Sequence, residues 1–76
     1  MSDFPAINGL DMVKALQRGG FFVVRQRGSH VRMASKIDAS RRVTVPVHVG
    51  RTLKRGVVMS ILDQAGWTLD DLKSHL

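Results

Sequence analysis

A glycine–serine pair, Gly28-Ser29, separates two segments that have the composition of β-strands. Phe21-Phe22-Val23-Val24 precedes the pair and Val31-Arg32-Met33-Ala34 follows it, and both contain side chains that strands favour. A two-residue loop that begins with glycine is typical of the type II′ turn, whose twist matches that of the strands it joins. The pattern therefore predicts a β-hairpin with strands over about residues 21–27 and 30–35.

The position of this turn predicts which side chains of the hairpin share a face, because opposed residues in an antiparallel pair point to the same side. Four opposed pairs follow: Arg27 and His30, Arg25 and Arg32, Val23 and Ala34, and Phe21 and Lys36. The face that we call the basic face is predicted to carry Arg25, Arg27, His30, Arg32 and Lys36. The opposite, apolar face is predicted to carry Phe22, Val24, Val31 and Met33.

A third strand is predicted at Arg42-Val43-Thr44-Val45, where Pro46 ends it because proline cannot donate to a strand ladder. Its alternation agrees with that of the hairpin. Val43 and Val45 belong to the apolar face, whereas Arg42 and Thr44 belong to the basic face.

Three helices are predicted from apolar spacing and capping residues. Asn8 caps a first helix over about 9–18, whose apolar stripe is Leu10, Val13 and Leu16. A second helix over about 55–65 ends at a glycine, and a Thr-x-x-Asp capping box begins a third over about 69–75.

These elements predict an α+β fold of the order α-β-β-β-α, in which a three-stranded antiparallel sheet has its helices on one face. The helices are expected to cover the apolar face of the sheet and to leave the basic face open. A chain of 76 residues is expected to form one domain over residues 1–76.

The positive charge of the chain is concentrated in its middle. Eleven of the twelve lysines and arginines lie between Lys14 and Arg55, where Asp38 is the only acidic residue, so this window carries +10 against +6 for the whole chain. Eight of the twelve are arginine, whose planar guanidinium suits phosphate. A segregated basic zone of this kind favours a polyanionic partner, and nucleic acid first, over ordinary solvated surface charge.

Several classes of protein are not favoured by the sequence. There is no cysteine, and the three histidines lack the spacing of a metal site, so no metal or other cofactor is expected. The amino-terminal residues do not resemble a signal peptide, and the apolar run at 21–24 is far too short to cross a membrane. We expect a cytoplasmic protein with no membrane partner.

His30 is the candidate catalytic residue, although a lone strand histidine is more often an ordinary polar side chain. It follows a tight turn and is predicted to lie among Arg25, Arg27 and Arg32. A neutral imidazole can accept the proton of an RNA 2′-hydroxyl while guanidinium groups stabilise charge on the phosphate. This scheme needs no metal ion.

The remaining candidates are expected to bind RNA rather than to react. The predicted RNA-binding residues are Arg25, Arg27, Ser29, Arg32, Lys36, Arg42 and His48. Ser29 is also a structural turn residue, and His48 is about equally well explained as an ordinary loop histidine. Lys54 and Arg55, at the start of the second helix, form either a phosphate seat or an unfavourable cationic pair.

Two runs in particular resemble the HicA family of toxin mRNA interferases: Arg25-Gln26-Arg27-Gly28-Ser29-His30 and Ser60-Ile61-Leu62-Asp63-Gln64-Ala65-Gly66. The likeness covers about residues 7 to 66, and the chain departs from it at Val57-Val58-Met59. The resemblance implies a double-stranded-RNA-binding-like fold, mRNA cleavage with His30 as the catalytic histidine, and a HicB-like antitoxin that covers the active surface.

Two other functions remain open on the sequence. A non-catalytic RNA-binding module would have the same fold and the same basic face. A small DNA-binding regulator is less favoured, because the second helix is rich in valine and offers no basic recognition face.

Overall fold

A computed structural model describes residues 4–76 of the chain. The elements are α1 (Gly9–Arg18), β1 (Phe21–Arg27), β2 (His30–Ser35), β3 (Arg42–Pro46), α2 (Arg55–Ala65) and α3 (Leu69–Ser74). The predicted α-β-β-β-α order is confirmed, with α3 as an additional short helix. It ends one residue earlier than expected because His75 is its C-cap.

Side-chain caps explain where two of the helices begin. The Asn8 side chain accepts a hydrogen bond from the amide of Asp11 at 2.8 Å, as the sequence predicted. At α3 the Thr68 hydroxyl and the Asp71 carboxylate each accept from the other residue's amide, which is the predicted capping box. The N-cap of α2 is Lys54, whose side chain makes no capping hydrogen bond.

The three strands form one antiparallel sheet in the order β1-β2-β3. Gly28 has a φ of 58° while Ser29 has no positive φ, which identifies the type II′ turn that the sequence predicted. Beside the turn the predicted register is confirmed, with Arg27 opposite His30 and Arg25 opposite Arg32.

Farther from the turn the predicted register is wrong by one residue. A β-bulge between Val23 and Arg25 leaves Val24 without a partner, so Val23 pairs with Met33 and Phe22 with Ala34. An extra residue in one strand reverses the facing of every residue beyond it. The bulge is not visible in a pattern of uniformly apolar side chains.

The bulge changes which aromatic residue enters the core. Phe21, predicted opposite Lys36 on the basic face, lies opposite Ser35 and is only 4% exposed. Phe22 and Val24, predicted on the buried apolar face, are each 43% exposed. Lys36 lies beyond the end of β2 and is exposed, and its amide donates to the carbonyl of Gly20 at 2.9 Å.

One apolar core lies between the sheet and the helices, and all three helices contribute to it. The prediction that Leu10 belongs to the buried stripe of α1 is wrong, since it is 52% exposed and Met12 is buried instead. The buried core residues are Ile7, Met12, Val13, Ala15, Leu16, Phe21, Val31, Met33, Val43, Val45, Val58, Ile61, Leu62, Ala65 and Leu72.

The carboxyl-terminal residues close one side of this core. The Trp67 ring meets Phe21 edge-on with 5.9 Å between centroids and stacks on His75 at 4.8 Å. The Arg18 guanidinium donates to the carbonyl of His75 at 2.9 Å, which joins the end of α1 to the end of α3. Both ends of the chain's last helix are therefore tied to the earlier elements.

We expect Gly9→Ala to destabilise the protein by about 1–3 kcal/mol through overpacking. A methyl group at this position would collide with the backbone carbonyl of Pro46, and backbone cannot rotate away as a side chain can. Urea unfolding followed by circular dichroism measures the change.

The matched control is Gly56→Ala in α2, where an added methyl group meets nothing within 4 Å. This control should stabilise the protein by about 0.5–1 kcal/mol, because alanine loses less backbone entropy in a helix. Equal effects at the two glycines would show that α1 does not approach β3 as described.

Candidate nucleic-acid interface

The strand register assembles the basic face around β2, the central strand. Arg25 and Arg27 of β1 lie opposite Arg32 and His30 of β2, and so share a face with them. On the other side of β2, Arg42 of β3 pairs with Ala34 and therefore joins the same face. The sheet thus presents four arginines and one histidine on the side away from the helices.

Most of the predicted RNA-binding side chains lie on or beside this face. Arg25, Arg27, Arg32, Lys36, Arg42 and His48 are all exposed, and Ser29 is partly buried. Lys36 follows the end of β2, so it extends the surface beyond the sheet. The carbonyl of Ser29 accepts a hydrogen bond from the amide of Val47 at 2.6 Å, which gives Ser29 a structural role in holding the segment after β3.

His30 is the first residue of β2 and stands between Arg27 and Pro46, its partners on the two neighbouring strands. Opposed Cα atoms in antiparallel strands are about 4.5–5.5 Å apart, so the imidazole has a cation as its immediate neighbour. Its side chain is exposed and forms no hydrogen bond with any residue in the range 4–76. Both ring nitrogens are consequently available to a bound molecule.

Hydrogen bonds lower the pKa of two aspartates, Asp38 and Asp71. The Ser40 hydroxyl and amide donate to the Asp38 carboxylate and lower the pKa of Asp38. The amide and the hydroxyl of Thr68 lower the pKa of Asp71 in the same way. Asp38 lies in the loop between β2 and β3, and Asp71 lies in α3.

The cations of residues 4–76 have few carboxylate partners within the same residues. Within residues 4–76, no lysine or arginine forms an ion pair with an aspartate. Arg55 has another contact, since its guanidinium lies 4.8 Å from the centre of the Phe4 ring. The positive charge of the basic face therefore remains available to an anionic partner.

His48 lines a cleft at the end of the sheet that contains His30. Pro46, which pairs with His30, forms one wall of this cleft, and Arg51 and Lys54 contribute two cations. The cleft has a volume of about 290 Å³. The sequence placed Lys54 and Arg55 together, but only Lys54 lines the cleft, because Arg55 packs over Phe4.

Arg51 was not predicted from the sequence as part of a site. It lies in the segment between β3 and α2, which is anchored by a bridge between Asn8 and Thr52 and by a hydrogen bond from the Leu53 amide to the Ile7 carbonyl. An isolated bridge to a residue 44 positions earlier leaves no local pattern in the sequence.

The comparison with family models identifies the relatives of this chain. The model described as the HicA toxin of bacterial toxin–antitoxin systems matches residues 9–67. The chain belongs to the HicA toxin family. HicA toxins are mRNA interferases, and the family implies an RNA substrate and a cognate HicB antitoxin. A comparison with curated proteins gives no match.

The part of the chain matched by the HicA model runs from the start of α1 to Trp67 and so contains the whole sheet. Helix α3 lies beyond the matched residues. No helix within residues 4–76 has the length and hydropathy needed to cross a membrane. The same residues contain no cluster of three or more histidine and acidic side chains able to hold a metal ion.

Because the side chains of His30 and Arg25 form no hydrogen bond or ion pair within residues 4–76, we expect His30→Ala and Arg25→Ala to change the free energy of unfolding by less than about 0.5 kcal/mol. Met33→Ala, on the opposite face of the same strand and fully buried, should cost about 2–5 kcal/mol. Chemical denaturation of the three variants tests this. A large loss of stability in His30→Ala would mean that the imidazole has a structural role.

Proposed function

We propose that the chain is an endoribonuclease that cleaves single-stranded mRNA on the basic face, with His30 as the acid–base residue. The observation that carries the proposal is an exposed imidazole that forms no hydrogen bond within residues 4–76 and lies among arginines that form no ion pair with an aspartate there. The HicA family membership supports the same reaction class.

The proposed reaction is a transesterification within the RNA. His30 accepts the proton of a 2′-hydroxyl, the 2′-oxygen attacks the adjacent phosphorus, and the bond from phosphorus to the 5′-oxygen of the next nucleotide breaks. The departing 5′-oxygen takes up a proton from water, and His30 later returns its proton to the solvent. The products are a 2′,3′-cyclic phosphate and a free 5′-hydroxyl. Guanidinium groups of Arg27 and Arg32 stabilise the charge that develops on the phosphate oxygens.

The other predicted RNA-binding residues hold the strand rather than react with it. Arg25, Arg42 and Lys36 contact phosphates across the sheet, and these contacts position RNA without selecting its sequence. His48 binds the strand where it leaves the sheet, in the cleft beside Pro46. Two further cations of this cleft, Arg51 and Lys54, extend the path.

An antitoxin that inhibits such a toxin must cover the basic face. Arginines that lose water on binding need counter-charges, because an unpaired buried charge is costly. We therefore propose an acidic HicB-like antitoxin surface opposite Arg25, Arg27 and His30.

We expect His30→Ala to lower the cleavage rate by about 10²- to 10⁴-fold, which is the usual contribution of general acid–base catalysis. The assay is incubation of a single-stranded RNA with the purified protein in EDTA. His75→Ala is the control, since His75 caps α3 and lies outside the basic face.

A second control replaces the substrate. An RNA with a 2′-deoxy nucleotide at the cleaved position should resist the parent protein, because the nucleophile is missing. Cleavage of this RNA, or cleavage by His30→Ala within tenfold of the parent, would exclude the mechanism. Binding without cleavage by the parent would favour the non-catalytic RNA-binding module.

We expect RNA binding to weaken with salt at a log–log slope of about −2 to −3.5, from three to five phosphate contacts at about 0.7 each. Arg25→Ala and Arg32→Ala should each flatten the slope by about 0.7 and weaken binding to all sequences alike. The measurement is a salt titration in the His30→Ala background, which prevents cleavage. Lys14→Ala, in α1, removes the same charge and should leave the slope unchanged. A slope unaltered by either arginine substitution would place the RNA elsewhere.

A further inference from the structure

The outer edge of β1 is an apolar surface that the described part of the protein leaves uncovered. Within residues 4–76, β1 is a terminal strand of the sheet and β2 is its one partner. Three consecutive residues of this strand are strongly exposed: Phe22 at 43%, Val23 at 41% and Val24 at 43%. Phe22 lies on the basic face, Val23 lies on the helix side and Val24 lies at the bulge, so the outer edge of this strand has exposed apolar side chains on both of its sides. Exposed apolar residues are ordinary when scattered, but a group of them along an edge strand indicates an interaction site.

The opposite edge of the sheet, β3, is occupied at one amide by a side chain of α2. At β3 the backbone amide of Thr44 donates to the side-chain oxygen of Gln64 in α2 at 3.0 Å. The amide group of Gln64 in turn donates to the Ser60 hydroxyl at 3.2 Å, which fixes its orientation. A strand added to β3 would have to displace this contact, whereas no side chain of residues 4–76 forms a comparable hydrogen bond to the outer edge of β1.

The two halves of β1 differ in charge. Arg25 and Arg27 follow the bulge and project onto the basic face, whereas the half before the bulge is uncharged. Phe22 shares the basic face with Arg42, because both pair with Ala34. The apolar edge is thus continuous with the surface on which we place the RNA.

We propose that the outer edge of β1 binds an extended acidic segment of the antitoxin as a fourth strand of the sheet. This inference rests on the proposed function, since it assumes an antitoxin that silences the basic face. Backbone hydrogen bonds and contacts with Phe22 and Val24 anchor the segment, and its carboxylates face Arg25 and Arg27. Strands of a sheet are about 4.8 Å apart, so a segment bound there lies directly beside the basic face.

The charge of β1 favours an acidic antitoxin segment over a second copy of the chain as the strand that binds its outer edge. Two β1 strands paired edge to edge would bring four guanidiniums into one ribbon, in a chain that already carries +6. Like charges at this spacing repel, whereas an acidic strand supplies carboxylates to arginines that form no ion pair with an aspartate within residues 4–76.

The first test needs no substitution. Hydrogen–deuterium exchange is measured on the free chain and on its complex with the cognate antitoxin. We expect the β1 amides that face outward to exchange at least about tenfold more slowly in the complex, because they become hydrogen-bonded. Protection of the basic face and of β3 without protection of β1 would overturn the proposal, and so would a failure of the antitoxin to bind.

The second test separates the apolar edge from the RNA surface. The double variant Phe22→Thr/Val24→Thr keeps side chains that favour strands but removes the apolar contact, and we expect at least about a tenfold loss of affinity for the antitoxin by calorimetry. RNA cleavage by the isolated variant should be unchanged. Ile37→Thr and Val49→Thr remove apolar side chains that are 97% and 100% exposed elsewhere, and should leave the affinity unchanged.

Other results of these two tests would assign the outer edge of β1 to a different partner. Loss of RNA cleavage with unchanged antitoxin affinity would assign the edge to RNA and overturn the proposal. A dimer of the free chain that the double variant dissociates would assign it to a second copy. Cleavage that survives in His30→Ala contradicts the proposed mechanism alone, because the affinity and exchange measurements do not depend on catalysis.

Discussion

The positive φ of Gly28 is the backbone constraint on which the candidate site depends. A type II′ turn at Gly28-Ser29 places His30 directly opposite Arg27 and starts β2 with the imidazole on the basic face. A side chain at position 28 meets no neighbour, so the requirement for glycine comes from the backbone angle and not from space. A turn one residue longer would move His30 to the helix side of the sheet.

The candidate site also requires a core that packs one face of the sheet against α1 and α2 and leaves the basic face exposed to solvent. Helix α3 contributes to this core although it lies outside the residues matched by the family model, because Leu72 is fully buried and its C-cap residue His75 stacks on Trp67. In a chain of 76 residues the buried area is limited, so the last eight residues add stability that the sheet and first two helices would otherwise lack. Repulsion among the exposed charges of the basic face destabilises the folded state, and packing of the helices against the other face of the sheet offsets that repulsion.

Residue patterns that act between near neighbours in the chain predicted the fold well. Contacts between residues far apart in the chain left no pattern from which they could be predicted. Caps at Asn8 and Thr68 act within one helical turn, so their residue types predict the helix starts directly. The bulge at Val24 was missed because Phe22, Val23 and Val24 have equal preference for a buried face, and only packing decides which of them turns inward.

The basic face was predicted correctly for its four residues nearest the turn, since the register there depends only on the turn. Arg51 and the cleft at His48 depend on the bridge between Asn8 and Thr52, which sequence spacing does not reveal.

The exposure of the basic face limits how the proposed RNA cleavage can be inhibited. The proposed active site is an exposed imidazole on a sheet and not a deep cavity, so a small inhibitor inserted beside His30 would leave most phosphate contacts in place. Inhibition then requires a partner that covers several arginines at once, and each of those arginines must receive a counter-charge.

Long-range charge attraction brings such a partner close but does not fix its orientation, since acidic side chains can pair with the arginines in many ways. Backbone pairing along a strand edge has a defined register and direction, which the basic face by itself cannot supply. The exposed apolar half of β1, produced by the same bulge that buries Phe21, provides that register next to the surface that has to be covered.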